Sequence, residues 1–158
     1  MNEKRDHAAI IAPPPLLLAL CIAAGFIAQH LKRLPLFPGA PAFLRPLCIS
    51  FFAVAAIIFF SAIRELVRHH THPSPYKPTA ELVVGGTYSW TRNPIYIALL
   101  LIVLALAVGV NSAWLLLSAM TLFVLLHFGV VKREEHYLST KFGSIYDAYY
   151  RRVPRWII

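Results

Sequence analysis

Four apolar runs, at residues 12–31, 46–63, 94–110 and 112–131, constrain this chain more than any other feature. A helix rising about 1.5 Å per residue needs roughly 20 apolar residues to cross the ~30 Å hydrocarbon core of a bilayer. The first, second and fourth runs reach that length or approach it. The third is shorter and is parted from the fourth only by Gly109-Val110-Asn111, a turn signal. The pattern predicts an all-α integral-membrane bundle of about four transmembrane helices, with the last two as a tight hairpin. Composition agrees, since 58% of the 158 residues are hydrophobic and 14% charged, against about a half and a quarter in soluble domains. So apolar a chain also has ample surface to bury and is not a disordered one. Lys4 and Arg5 precede the first run as they would in a signal peptide, but the run is long, opens on Pro13-Pro14-Pro15 and lacks an A-x-A cleavage site. It is read as a retained span. The expected organisation is a single membrane domain over 1–158, with two spans in 1–66 and a loop, hairpin and tail in 67–158.

Charge orients the bundle. The chain carries 15 Lys+Arg against 7 Asp+Glu, a net +8. In so apolar a protein this points to anionic membrane lipid and not to nucleic acid. With four spans, both termini and the central loop share one side. That side holds Lys4, Arg5, Arg64, Arg68, Lys77, Arg92, Lys132, Arg133, Lys141, Arg151, Arg152 and Arg155, leaving Lys32, Arg33 and Arg45 opposite. The positive-inside rule puts the basic side, with both termini, in the cytoplasm. Cys21 and Cys48 lie inside apolar runs and suggest neither a disulfide framework nor a zinc site.

Two polar stretches fall on the expected cytoplasmic side. The loop from about 64 to 93 begins irregularly with His69-His70-Thr71-His72-Pro73-Ser74-Pro75 and ends in a glycine-containing segment leading to Arg92-Asn93-Pro94. Pro94 suits the first turn of the third membrane helix, with Thr91 or Asn93 as its cap. The tail continues the fourth helix through Lys132-Arg133-Glu134-Glu135, breaks at Gly143, and resumes as a short helix from Ser144 to about Arg152 with Asp147 and Arg151 paired at i,i+4. Charged residues at the mouth of a span are costly to desolvate and point to function. His127 and Glu134, seven apart, should share a helix face. Antiparallel helices joined by a short loop lie side by side, so Arg92, Asn93 and Tyr96 at one end of the hairpin should meet Glu134 and Glu135 at the other.

These residues also carry a resemblance. Gly86-Thr-Tyr88-Ser-Trp-Thr-Arg92-Asn93-Pro94-Ile-Tyr96 resembles the G-x-Y-x-x-x-R-[HN]-P-x-Y element of isoprenylcysteine carboxyl methyltransferases and their bacterial phospholipid methyltransferase relatives. The tail Arg133-Glu134-Glu135-His-Tyr-Leu138-Ser-Thr-Lys-Phe142-Gly143-Ser-Ile-Tyr146-Asp-Ala-Tyr149 is similar to that family's R-E-E-x-x-L-x-x-x-F-G-x-x-Y-x-x-Y. Lys77-Pro78-Thr79 and Leu82-Val83 resemble the approach to the first element. Residues 75–156, about half the chain, are covered, with both elements in order around a helical hairpin.

The resemblance implies an integral-membrane methyltransferase that uses S-adenosylmethionine at the cytoplasmic membrane face and takes a lipophilic acceptor from the bilayer. No G-x-G-x-x-G is present for a Rossmann-type site. On this reading Arg92 pairs with the cofactor carboxylate, and Glu134 or Glu135 accepts from its ribose or ammonium. Tyr88 and Tyr96 wall its ring, Gly85 and Gly86 present backbone amides, and Asn93 stands where many relatives have His. Asparagine keeps a donor and an acceptor but does not titrate, which turns the substrate expectation away from prenylcysteine. Arg133 and Arg152 are the candidates to orient an anionic acceptor. The implied setting is a bacterial inner membrane.

Plainer readings exist for several of these residues. The His69/His70/His72 group fits a solvated loop better than a metal site. His127 can serve function or simply bond a neighbouring helix. Trp90, Trp114, Trp156 and most tyrosines fit an interfacial belt, and Arg151, Arg152 and Arg155 fit anionic-lipid contacts. The alternative for the whole chain is a non-catalytic membrane scaffold or accessory protein that kept the fold.

Overall fold

The computed structural model describes residues 8–73 and 79–157. Lys4, Arg5 and Lys77 of the charge argument, and Ser74, Pro75 and Pro78 of the loop, lie outside them. Among the described residues every regular element is helical. Pro14–Leu31 forms α1, Leu44–Arg68 α2, Pro94–Gly109 α3, Ala113–Leu126 α4, Lys132–Phe142 α5 and Ser144–Arg152 α6. A 3-10 turn covers Gly86–Ser89, and a π turn over His127–Val131 joins α4 to α5 without a break.

Helix lengths follow the apolar runs. α1 has 18 residues and α2 has 25, and the α4–π–α5 rod of 30 residues carries its apolar part over 113–131 before turning polar. These three are long and apolar enough to cross a membrane. α3 has only 16 residues, about 24 Å at 1.5 Å per residue, and falls short of a full hydrocarbon core. Its position makes up for its length: α3 lies between α2 and α4, and α1 packs on α4 and also touches α3. Ala98, Val103, Ala105 and Ala107 of α3 are almost wholly buried, so the short helix is surrounded largely by protein.

The core joins Leu17 and Cys21 of α1, Leu99 and Val103 of α3, and Leu122 and Leu126 of α4 with Val130 and Val131 of the π turn. Small residues let the rods approach. A Cβ on Gly25 would lie 2.6 Å from Leu115 Cδ2 and 2.7 Å from Ser118 Oγ, so α1 and α4 touch through a glycine. The hairpin turn forms where the sequence places it. Asn111 adopts φ 53°, and its side chain accepts from Phe37 N at 2.9 Å and donates to Phe37 O at 2.8 Å. Ser112 caps α4 by accepting from Leu115 N. The other end of the molecule holds the candidate site.

Two local expectations fail. The π turn inserts an extra residue into the rod and rotates the downstream helix by about 100° relative to an unbroken α-helix. His127 and Glu134 therefore do not share a face: His127 Nδ1 accepts from Trp156 Nε1 at 3.2 Å, while Glu134 pairs with α3. Asp147 and Arg151 form no ion pair; both stay exposed on α6, where solvent screening gives such a pair little to gain.

Candidate functional site

Pro94 opens α3 with its preset φ, and Asn93, just before it, sits in a non-helical conformation. Thr91 Oγ1 accepts from Asn93 N at 3.2 Å. The Asn93 side chain makes no capping bond; its Nδ2 instead donates to Arg155 O at 2.9 Å. This entry into α3 fixes Arg92 and Tyr96 against the first turn of α5. Tyr96 OH donates to Glu134 Oε1 at 2.7 Å, and Arg92 Nη1 meets Glu135 Oε1 at 3.1 Å. The two polar clusters meet in space.

Around them lies a cavity of ≈ 140 Å³. Tyr88, Arg92, Asn93, Tyr96, Glu134 and Glu135 all line it, with Tyr146 and Tyr149 of α6 and the apolar side chains of Leu66, Leu82, Ile95 and Leu138. Its polar groups are strongly desolvated. The side chains of Arg92 and Glu135 are only 7% and 11% exposed. Glu134 stands beyond Val131, the last apolar residue of its span. Burial pushes its carboxyl up to about 7 against the opposing hydrogen bond from Tyr96, and the neighbouring Glu135 charge adds to the rise. Burial likewise pushes the Tyr146 phenol up to about 12 and raises those of Tyr88 and Tyr149, so all three remain neutral hydrogen-bonding groups at physiological pH.

Arg92 is the most heavily engaged side chain. Its guanidinium stacks on Tyr150 at 4.0 Å, and Nη1 also reaches Tyr146 OH at 3.5 Å. Its buried Nε has no acceptor among the described residues. Glu134 also lines the cavity, with its Oε1 taking the Tyr96 bond. The cavity thus offers a cationic donor and a carboxylate oxygen, each held by a partner on another element.

The remaining candidates sit elsewhere. Gly85 and Gly86 do not line the cavity; they pack against Glu65 at the end of α2, whose carboxylate oxygens would lie 3.0–3.1 Å from a Cβ at either position. Arg133 is exposed and donates to Ala9 O at 2.7 Å, which ties the N-terminal segment to α5. Arg152 is exposed on α6. Neither arginine reaches the cavity. His69 of the histidine group bonds Glu81 at 3.1 Å through Nδ1.

Several site residues escape a reading by residue class. Tyr146 and Tyr149 are buried, not interfacial, and Tyr149 OH donates to Tyr88 O at 2.7 Å. Their spacing of three on α6 was the available signal, because it puts both on one face. Arg155 is not free for lipid: its Nε and Nη2 clasp Glu135 at 2.9 and 2.7 Å. Trp156 is drawn inward to His127 and Phe123, whereas Trp90 is 75% exposed as a belt residue would be.

The sequence model of the family described as phospholipid methyltransferase matches residues 44–145, from the start of α2 to the start of α6. The chain belongs to this family. Among curated proteins it is 32% identical over 78 residues to the nickel-cobalt-cadmium resistance protein NccN of Alcaligenes xylosoxydans xylosoxydans, an alignment covering 49% of this chain and 36% of that one. It is 39% identical over 64 residues to an uncharacterized protein of Haemophilus influenzae, covering 39% of this chain and 98% of that one. The chain therefore spans about a third of the length of the first relative and nearly all of the second. No solved structure matches. The phospholipid methyltransferase match includes both polar clusters, and with three helices suited to crossing a bilayer it makes this an integral membrane protein.

Proposed function

We propose that the protein transfers a methyl group from S-adenosylmethionine to a lipophilic, phospholipid-like acceptor at the cytoplasmic face of the membrane. The observation that carries this reading is the junction of α3 with α5, where Tyr96 holds Glu134 and Glu135 holds Arg92 at the wall of one cavity. Family membership supports methyl transfer, and the basic termini and central loop support the cytoplasmic face.

The residues present fit the cofactor's charges. Arg92, a cavity-lining cation whose buried Nε lacks an acceptor among the described residues, suits the carboxylate of its methionine end. The Glu134 carboxylate suits the ammonium or a ribose hydroxyl, while Tyr88, Tyr96, Tyr146 and Tyr149 offer aromatic walls. Glu135 is saturated by two arginines and acts behind Arg92. When bound, S-adenosylmethionine supplies an electrophilic methyl on a sulfonium, open to in-line displacement. The protein's part is then to orient and to exclude water. Leu66, Leu82, Ile95 and Leu138 line the cavity beside the polar groups and suit the apolar body of an acceptor. Arg133 and Arg152, both exposed, are read as contacts for anionic headgroups. The bacterial inner membrane is the proposed setting.

Calorimetry with S-adenosylhomocysteine in detergent tests the reading. Micromolar to sub-millimolar binding by the wild type, weakened at least tenfold in Arg92→Ala, is the expected result. No binding at millimolar ligand by a folded protein would favour a non-catalytic scaffold.

A further inference from the structure

The last described residues, 153–157, lie beyond the family match and form no helix, yet they are bound tightly to the site. Arg92 N donates to Pro154 O at 3.0 Å. Arg155 O accepts from Thr91 Oγ1 at 3.0 Å and from Asn93 Nδ2 at 2.9 Å. Trp156 Nε1 reaches His127 at 3.2 Å. This strap fixes the backbone on both sides of Arg155, whose side chain then turns back onto Glu135 through two hydrogen bonds.

The consequence is a matter of charge. Glu135 stands between two guanidinium groups, Arg92 and Arg155. A lone Arg92–Glu135 pair, buried as this one is, would be neutral and would attract no further anion. The bidentate clasp of Arg155 takes up the Glu135 charge and leaves the three groups with a net positive charge. The surplus lies on Arg92, which lines the cavity and whose buried Nε has no acceptor among the described residues. Glu134 faces the same cavity but is engaged by Tyr96 through Oε1.

The geometry points to Arg155 as a positioning residue that neutralises Glu135 and so turns Arg92 into a binding site for an anionic oxygen group, a carboxylate or phosphate, in the cavity. The assignment deepens the methyltransferase reading and rests on it for the identity of the ligand, though not for the existence of the anion site. The carboxylate source is the amino-acid end of the cofactor; the phosphate source is a lipid headgroup.

Calorimetry or thermal-shift titration in detergent separates the cases on four proteins: wild type, Arg155→Gln, Arg155→Lys and the double variant Arg155→Gln/Glu135→Gln. The probes are S-adenosylhomocysteine against methylthioadenosine, which lacks the carboxylate and ammonium, and a short-chain phosphatidylethanolamine against the matching uncharged diacylglycerol. The site predicts that Arg155→Gln weakens the probe whose carboxylate or phosphate is recognised at least tenfold and leaves its counterpart lacking that group within twofold. Arg155→Lys should retain part of the affinity. The double variant should recover most of it, because removing the Glu135 charge frees Arg92 again, and a purely structural role for Arg155 would show no such recovery. Dependence of the phospholipid alone, with no binding of S-adenosylhomocysteine, would keep the anion site and refute the cofactor reading. Equal losses for charged and uncharged probes, no recovery in the double variant, or no dependence of any anion on Arg155 would each overturn the proposal.

Discussion

Glu134 has an ordinary helix-end sequence context but an unusual environment. A carboxylate that only ended a solvated helix would keep its usual acidity, whereas burial beside Tyr96 and Glu135 pushes this one from 4.5 up to about 7. A folded-state value above the unfolded one means that ionisation opposes folding. Its contribution to stability is complete below about 4.5 and is lost as pH rises through about 7. Glu134→Gln keeps the Tyr96 hydrogen bond and removes the buried charge. We therefore predict a Tm higher than wild type by about 2–4 °C at about pH 8, converging toward about pH 5, in thermal unfolding in detergent. Cofactor binding should move the other way: Glu134→Gln weakens S-adenosylhomocysteine, and wild-type affinity falls as pH drops below about 7. Lower stability with unchanged affinity would show that Glu134 is a structural residue.

At the scale of elements, the apolar runs showed most of the architecture because a bilayer-spanning helix must be continuous, long and apolar, and these demands are visible in one dimension. The hairpin turn at Asn111, the break at Gly143 (φ 53°) and the α6 helix were equally legible from local chemistry. The π turn was not. Nothing in His127-Phe-Gly-Val-Val announces an extra residue per turn, and a face drawn at a spacing of seven came out wrong there. Arg155 and Trp156 escaped for another reason. As single residues in a basic, aromatic tail they match lipid-facing types, and only the chain path over α3 reveals their partners. Glycines in apolar helices are similarly silent until their neighbours are known. Gly25 lets α1 lie against Leu115 and Ser118 of α4, so Gly25→Val should force the helices apart and cost about 1–3 kcal/mol. A Tm fall with S-adenosylhomocysteine affinity retained in the folded fraction is expected, because the cavity lies at the α3–α5 junction. An unchanged Tm would mean that α1 is not packed as described.

For the whole molecule, one end is a hydrogen-bonded tie and the other the candidate site. The 32–43 connection is bound to the hairpin turn and the start of α4 through Lys32, Leu34 and Phe37. The opposite end gathers the α3 start, α5, α6 and the C-terminal strap around an Arg–Glu–Arg cluster in which Arg92 and Glu135 are largely buried and Arg155 is part-exposed. Residues from this end also carry most of the positive charge, which is the basis of the proposed orientation. A single exposed cysteine at Arg151 should react with a membrane-impermeant thiol reagent in inverted vesicles and stay protected in intact cells. A cysteine at Leu36 should show the reverse. The opposite pattern would turn the molecule over and move the site to the other face of the membrane.

The methyltransferase reading depends on α3 and α5 enclosing a single ligand between them. The direct measurement is an experimental structure determined with S-adenosylhomocysteine bound. We predict density in the cavity walled by Tyr88, Tyr96 and Tyr146, with a carboxylate oxygen within hydrogen-bond distance of the Arg92 guanidinium and a donor facing the Glu134 carboxylate. Density at any other place on the molecule, with Arg92 Nε and Glu134 left as they are, would contradict the account.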